Sequence, residues 1–285
     1  MKIQNIKNLH QEDNYGKLIN FSILNIDKPS GPTSFTITDY IRKSLKLNKT
    51  SHMGTLDPAV SGVLPITLGR ACRLSNYFMH SDKEYVGIMR LHKKVSEEKL
   101  KEVIKEFIGK ITQLPPIRSS VKRAERIREV KSFEIFEIQG KDILFKTNVQ
   151  AGTYIRKLCS DMGEKIGGAH MLELRRTRAS IFSENDKNFI NLYKFDELLK
   201  DPKKLVKYLI PAEEAIKKVL PQVQLSDKNL NKIFTGKPLM KNDFIGDLNN
   251  LKEEFFAAFI KDRFIGVYKK VKEGDILAKA EFVYN

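Results

Sequence analysis

The sequence predicts an α+β chain with one large mixed domain and a small β-rich domain behind it. Strand-like and helix-like segments are interspersed without a regular βαβ period, which argues against a doubly wound parallel sheet. The chain has 285 residues, enough for one large domain or two at about 100–200 residues each. Composition then shifts near Pro211, after which short apolar pieces alternate with the turns Gly236-Lys-Pro, Gly246-Asp, Lys261-Asp and Glu273-Gly-Asp. That is the rhythm of a small barrel. The expected division is an N-terminal arm at 1–20, a first domain at 21–215 and a second at 216–285.

The arm is expected to be extended, because residues 1–20 lack apolar periodicity. Phe21 to Ile26 reads as a strand and Asp27-Lys-Pro-Ser-Gly-Pro32 as a turn. Thr33 or Ser34 caps a helix with Ile37, Tyr40, Ile41 and Leu45 on one face. A glycine-bearing loop, Ser51 to Gly62, precedes a helical stretch from Ala71 to Phe78. Tyr85 to Leu91 is a strand, and Ser96-Glu-Glu-Lys opens a helix that runs through Phe107. Phe133–Ile138 and Ile143–Val149 alternate as strands. Ala151-Gly-Thr-Tyr turns into a helix from Ile155 to Ile166, and a last helix spans Glu213 to Leu220 before Pro221.

Apolar residues are 41% of the chain and charged residues 30%, a globular composition. No apolar run approaches the ~18 residues of a membrane span, and Gln11 to Gly16 is polar where a secretory signal needs an apolar stretch. A cytosolic protein without membrane contact is expected. Cys72 and Cys159 are too few for a disulfide framework and read as buried packing residues. Lys and Arg number 51 against 35 Asp and Glu, a net charge of +16. A polyanion, nucleic acid first, is the partner this balance favours, because each neutralised phosphate releases condensed counterions.

Asp57 stands out among the carboxylates. Pro58 forces it out of helical geometry onto a loop, and Gly54 and Gly62 let that loop bend under a large ligand. An isolated Asp-Pro is more often a plain turn, so the rest of the chain must decide. It holds no P-loop, dinucleotide fingerprint, His-Glu-x-x-His or serine triad. His10, His52, His80, His92 and His170 are scattered without metal-ligand spacing. Neither metal nor cofactor is expected, and a loop carboxylate in a basic protein suits chemistry on a nucleic-acid base. Two basic clusters fit phosphate binding. One is Arg118, Lys122, Arg123, Arg126 and Arg128, read as a mobile loop that closes over RNA, and the other is Arg175, Arg176 and Arg178.

Five motifs in order resemble the TruB/dyskerin family of RNA pseudouridine synthases. They are Asn25-Ile-Asp-Lys-Pro-Ser-Gly-Pro-Thr-Ser34, His52-Met-Gly-Thr-Leu-Asp-Pro58 with Ser61-Gly-Val-Leu-Pro65, Lys83-Glu-Tyr-Val86, Gly152-Thr-Tyr-Ile-Arg156 and Gly168-Ala-His-Met-Leu-Glu-Leu-Arg-Arg-Thr-Arg178. Thr55 and Leu114-Pro-Pro-Ile-Arg-Ser-Ser-Val-Lys-Arg123 resemble the RNA-guided dyskerin branch, and a compact archaeal member is the expectation. Leu225-Ser-Asp and Ile233-Phe-Thr-Gly-Lys-Pro-Leu239 are similar to the PUA module. Phe35, Ser51 and Ala179-Ser-Ile-Phe depart from the pattern outside the catalytic set.

The resemblance implies a pseudouridine synthase fold, with a mixed, largely antiparallel sheet flanked by helices and a C-terminal PUA-like β-barrel. It implies isomerisation of uridine to its C5-glycoside without a cofactor. Asp57 matches the essential aspartate, Arg156 the arginine paired with it, Tyr85 the tyrosine that stacks on the flipped base and Leu174 an apolar residue on its other side. Lys28 and His52 match positions that shape the site or contact RNA. Implied partners are target rRNA or tRNA, an H/ACA-type guide RNA, and small core proteins of that particle, one of them zinc-binding. A stand-alone enzyme acting on a tRNA loop is the alternative, and a non-catalytic RNA-binding scaffold is the second.

Overall fold

The computed structural model describes residues 13–115, 123–246 and 251–285. It divides into two compact units, Met1–Leu209 and Ile210–Asn285.

In the first unit the strands are β1 (Ser22–Lys28), β2 (Thr50–His52), β3 (Ser61–Leu68), β4 (Lys83–Leu91), β5 (Gly109–Gln113), β6 (Arg126–Gln139), β7 (Asp142–Val149), β8 (Ala169–Ala179), β9 (Phe182–Ser183) and β10 (Phe189–Asn191). They form one mixed sheet in the order β10-β1-β3-β8-β4-β7-β6-β5, with β2 on β3 and β9 on β8. The pairs β1/β10 and β3/β8 are parallel, whereas β1/β3, β4/β8, β4/β7, β6/β7 and β5/β6 are antiparallel. The mixed α+β architecture is as the sequence predicts. β1 is buried along nearly its whole length, as a central strand requires. Against the sheet lies the helix Ser34–Ser44, capped by Thr33, whose side chain accepts from Thr36 N. Its apolar stripe inserts Ile37, Ile41 and the following Leu45 into the core, while Tyr40 stays partly exposed. Ser96 caps the helix Glu97–Glu106 in the same way. The helix Ile155–Glu164 buries Ile155, Leu158, Cys159 and Met162.

Four local expectations are corrected. The N-terminal segment is not wholly an extended arm: Asp13–Asn20 is a helix, and its Ile19 is buried in the core. Cys72 is half-exposed in the 3-10 turn Gly69–Leu74, where its thiol bonds the Thr67 carbonyl. The helix expected at Glu213 to Leu220 is shorter, Ala212–Ile216. Arg126 and Arg128 are not in a loop but open β6, paired across to Gln113 and Ile111.

The second unit is built on a five-stranded sheet, among the described residues, in the order Gln222–Gln224, Phe255–Ile260, Arg263–Glu273, Ile276–Val283 and Leu239–Met240. Its separate core gathers Leu225, Ile233, Leu239, Phe256, Ile265 and Tyr268. The Phe256 and Tyr268 rings stack at 5.9 Å between centroids. It is the small β domain that the turn rhythm predicts.

Candidate active site

Asp57 lies on the irregular loop between β2 and β3, and main-chain bonds fix both of its flanks. The Ser34 hydroxyl, at the start of the helix, donates to Leu56 O at 2.9 Å and accepts from Leu56 N at 2.8 Å. On the other side, Pro58 O accepts from Gly31 N at 2.8 Å and from Lys28 Nζ at 3.1 Å. Lys28 also donates to Pro29 O. The loop is therefore rigid without using the Asp57 side chain, which is 55% exposed. Arg156, second residue of its helix and equally exposed, donates from Nη2 to Asp57 Oδ2 at 2.6 Å. A pair this exposed contributes at most about 1 kcal/mol to folding, so its geometry serves the site more than the fold.

Behind the loop sits a group of buried cations. The register places Gly62 of β3, Arg176 of β8 and Tyr85 of β4 side by side across three strands. Arg176 is 1% exposed. Its guanidinium donates to Val63 O at 2.8 Å and Gly54 O at 3.0 Å, bridging the two ends of the Asp57 loop. Lys28 and Lys83 are buried as well and likewise donate to main-chain carbonyls, Lys83 to those of Met79 and Ser81. Burial lowers the Lys28 amine from its ordinary value, against the pull of Asp57. Burial and then the Arg176 charge push the His52 imidazole down from its ordinary value. The ring lies 3.0 Å from the Thr55 hydroxyl.

Lys83 is brought down to about 8, by burial first and then by Arg176. Unfolded, the same amine titrates near 10.5. Between these values the unfolded chain holds the proton that the folded chain releases. Stability should therefore rise with pH across that window, by about 3 kcal/mol in all. Urea midpoints for Lys83→Met against wild type from pH 7.5 to 10.5 should converge or cross as wild type gains. Two parallel curves would show that Lys83 carries no such shift.

The sequence-selected residues do not all gather here. Asp57, Arg156, Lys28 and His52 lie on or against one loop, and Tyr85 joins it through Arg176. Tyr85 and Leu174 are both buried, two positions apart in the β4/β8 ladder. Phosphate binding by Arg176 is contradicted, because a fully buried guanidinium committed to two carbonyls cannot reach a phosphate. Arg175 is engaged by Asp27, at 2.9 and 3.1 Å, and by Glu184 at 2.8 Å. Arg178 bonds Asn148 and Ser180 O. In the other cluster Arg123 is exposed and Arg126 and Arg128 are half-buried, while Arg118 and Lys122 lie outside the described residues. Sequence reasoning left the site's inner supports unassigned. Ser34 was visible only as a motif member and cap candidate, Lys83 only as a motif member, and Gln113 only as the neighbour of Leu114-Pro-Pro. No group of three or more His, Cys, Asp or Glu among the described residues could hold a metal ion.

Comparison with known proteins gives this geometry a family. The profile of the TruB family pseudouridylate synthase N-terminal domain matches residues 42–155, and that of the tRNA pseudouridylate synthase B C-terminal domain matches residues 156–217. Relatives named probable tRNA pseudouridine synthase B include one from Methanothermobacter thermautotrophicus, 41% identical over 82% of this chain and 73% of its own length. Another, from Thermococcus onnurineus, is 40% identical over 92% of this chain and 80% of its own. A solved Cbf5-Nop10-Gar1 complex aligns with TM-score 0.83 and 38% identity, covering 94% of this chain and 86% of that one. An H/ACA ribonucleoprotein bound to a substrate RNA aligns at 0.81 and 35%, covering 95% and 87%. With its fold, its ordered motifs and its relatives in agreement, the chain belongs to the TruB family of pseudouridine synthases and is an RNA-modifying isomerase.

Proposed function

We propose that this enzyme isomerises uridine in RNA selected by a guide, as the catalytic subunit of an H/ACA-type particle, with Asp57 as its essential carboxylate. The observation that carries the catalytic assignment is the Asp57–Arg156 pair, an exposed carboxylate on a loop fixed from both sides. Isomerisation breaks the N1–C1′ bond, turns the base and rejoins it through C5. It needs an ionised carboxylate beside the sugar, as nucleophile at C1′ or as base toward the 2′-proton. Arg156, bonded to Asp57 at 2.6 Å, aims it. A stacked uridine exposes neither C1′ nor C5, so it must be flipped out of its helix or loop. Tyr85 and Leu174 are proposed to face the flipped base, which requires the target to part the surface above them. Lys28 sets the loop, and Arg123, Arg126 and Arg128 are proposed to meet RNA phosphates. Arg178, bonded to the neutral oxygens of Ser180 and Asn148, is a further candidate contact.

Guide dependence is supported by the likeness to Cbf5 in complex with Nop10 and Gar1, over nearly the whole chain. The expected PUA-like domain, within the unit Ile210–Asn285, is proposed to add RNA affinity, and a cytoplasmic setting is proposed with it. The names of the curated relatives favour a second reading, a tRNA enzyme that needs no guide. The two separate in one experiment: purified protein is incubated with a tRNA and with a guide-matched RNA, each with and without guide RNA and the small core proteins. Modification of the matched RNA only in the assembled mixture supports guidance. Equal, site-selective modification of tRNA by the protein alone supports the second reading.

A further inference from the structure

We infer that Gln113 is a positioning residue that sets the direction from which Arg156 meets Asp57. Gln113 is the last residue of β5 and is 2% exposed. Its amide faces the main chain of Tyr154 with both ends: Nε2 donates to Tyr154 O at 3.2 Å and Oε1 accepts from Tyr154 N at 3.0 Å. Tyr154 is the residue from which the Ile155–Glu164 helix starts, and its own side chain makes no capping bond there. The Tyr154 carbonyl also takes the first helical bond, from Leu158 N at 2.9 Å. One buried amide thus grips the peptide two residues before Arg156, at the point that fixes where the helix begins.

Other supports of this turn come from β6. Gln150 N donates to Glu129 O at 2.8 Å. Gly152 lies under the Arg128 guanidinium, so closely that a Cβ there would be 3.1 Å from Arg128 Nε. Gln113 itself pairs with Arg126 across the β5/β6 ladder. The β5/β6 ladder that bears Arg126 and Arg128 is therefore joined by one side chain to Tyr154, two residues before the arginine that holds the Asp57 carboxylate. Only a side chain with a donor and an acceptor on one planar end can match a peptide in this way. Glutamate has the shape and loses the donor, and methionine loses both.

This inference rests on the reading of Asp57 and Arg156 as the reactive pair, and the test separates the two. Gln113→Met and Gln113→Glu are compared with wild type and Asp57→Asn, in the full chain assembled with guide RNA and core proteins. The assay follows pseudouridine formation, with kcat and KM resolved. For Gln113→Met, kcat should fall by about 10–100-fold, the cost of a misplaced catalytic group, with KM for RNA changed less than about twofold. Gln113→Glu should recover toward wild type as pH falls, because a protonated carboxyl restores both bonds to Tyr154. That recovery decides the matter even if the methionine variant fails to fold. A wild-type kcat for Gln113→Met, or a Gln113→Glu to wild-type ratio that does not move with pH, overturns the inference while Asp57→Asn remains inactive. Activity in Asp57→Asn would instead overturn the reading of the site.

Discussion

Asp57→Asn is expected to reduce isomerisation by about 10²–10⁴-fold or to below detection, the range lost when a charged catalytic group is removed. Fold and RNA affinity should stay close to wild type. The loop around Asp57 is held by Ser34, Gly31 and Lys28 through main-chain atoms, and none of these bonds uses the carboxylate. Asparagine keeps the size and planarity of the group, so packing is unchanged. What is lost is the charge that Arg156 faces at 2.6 Å, a contact too exposed to matter much for stability. Single-turnover assays beside thermal unfolding and filter binding would separate these outcomes. Turnover near the wild-type rate would remove Asp57 from the chemistry. Low turnover caused by unfolding would show instead that the carboxylate is structural.

Gly62→Ala should be strongly damaging. Gly62 has φ +104 and pairs on one side with Lys28 of β1 and on the other with Arg176 of β8. A Cβ built there would sit 2.2 Å from Arg176 O and 2.9 Å from Arg176 N. Backbone cannot swing aside as a long side chain can, so the β3/β8 junction must part, and with it the Arg176 bonds that close the Asp57 loop. A loss of about 3–5 kcal/mol is expected, at the upper end for point substitutions. Gly31→Ala provides the control: its φ is +113 but no atom lies within 4 Å of a Cβ. It should cost only the backbone strain of about 1–3 kcal/mol. Urea unfolding of both variants measures the difference. Equal losses would show that conformation and not the β8 contact demands glycine at position 62.

Asp57 and its loop were legible because Asp-Pro excludes helix and the flanking motifs are contiguous. Arg156 was legible only through the motif around it, since an arginine in the first turn of a helix is otherwise an ordinary surface residue. Arg176 was misjudged for a physical reason. Consecutive charges in Leu174-Arg-Arg-Thr-Arg178 read as a phosphate-binding cluster open to solvent, and nothing local reveals that β8 runs between β3 and β4 in the middle of the sheet. Arg126 and Arg128 looked like the end of a loop for a related reason. Charge on alternate positions masks the strand period, which becomes apparent once β5 pairs with it. The N-terminal helix offered Tyr15, Leu18 and Ile19 at helical spacing, but eight residues are too few to register as a period. Gln113 could not be found at all by pattern, because its value lies in a peptide 41 positions away.

Forming the C5–C1′ bond displaces the hydrogen at C5, so the central claim is tested most directly by tritium release from RNA labelled as [5-³H]uridine at one position. The wild-type enzyme, assembled with guide RNA and core proteins, should release one tritium per pseudouridine formed, with the RNA chain intact and no free uracil. Asp57→Asn should release none. Tritium release by Asp57→Asn at the wild-type rate, or free uracil and an abasic site in place of the C5-glycoside, would contradict the assignment of this loop as the site of uridine isomerisation.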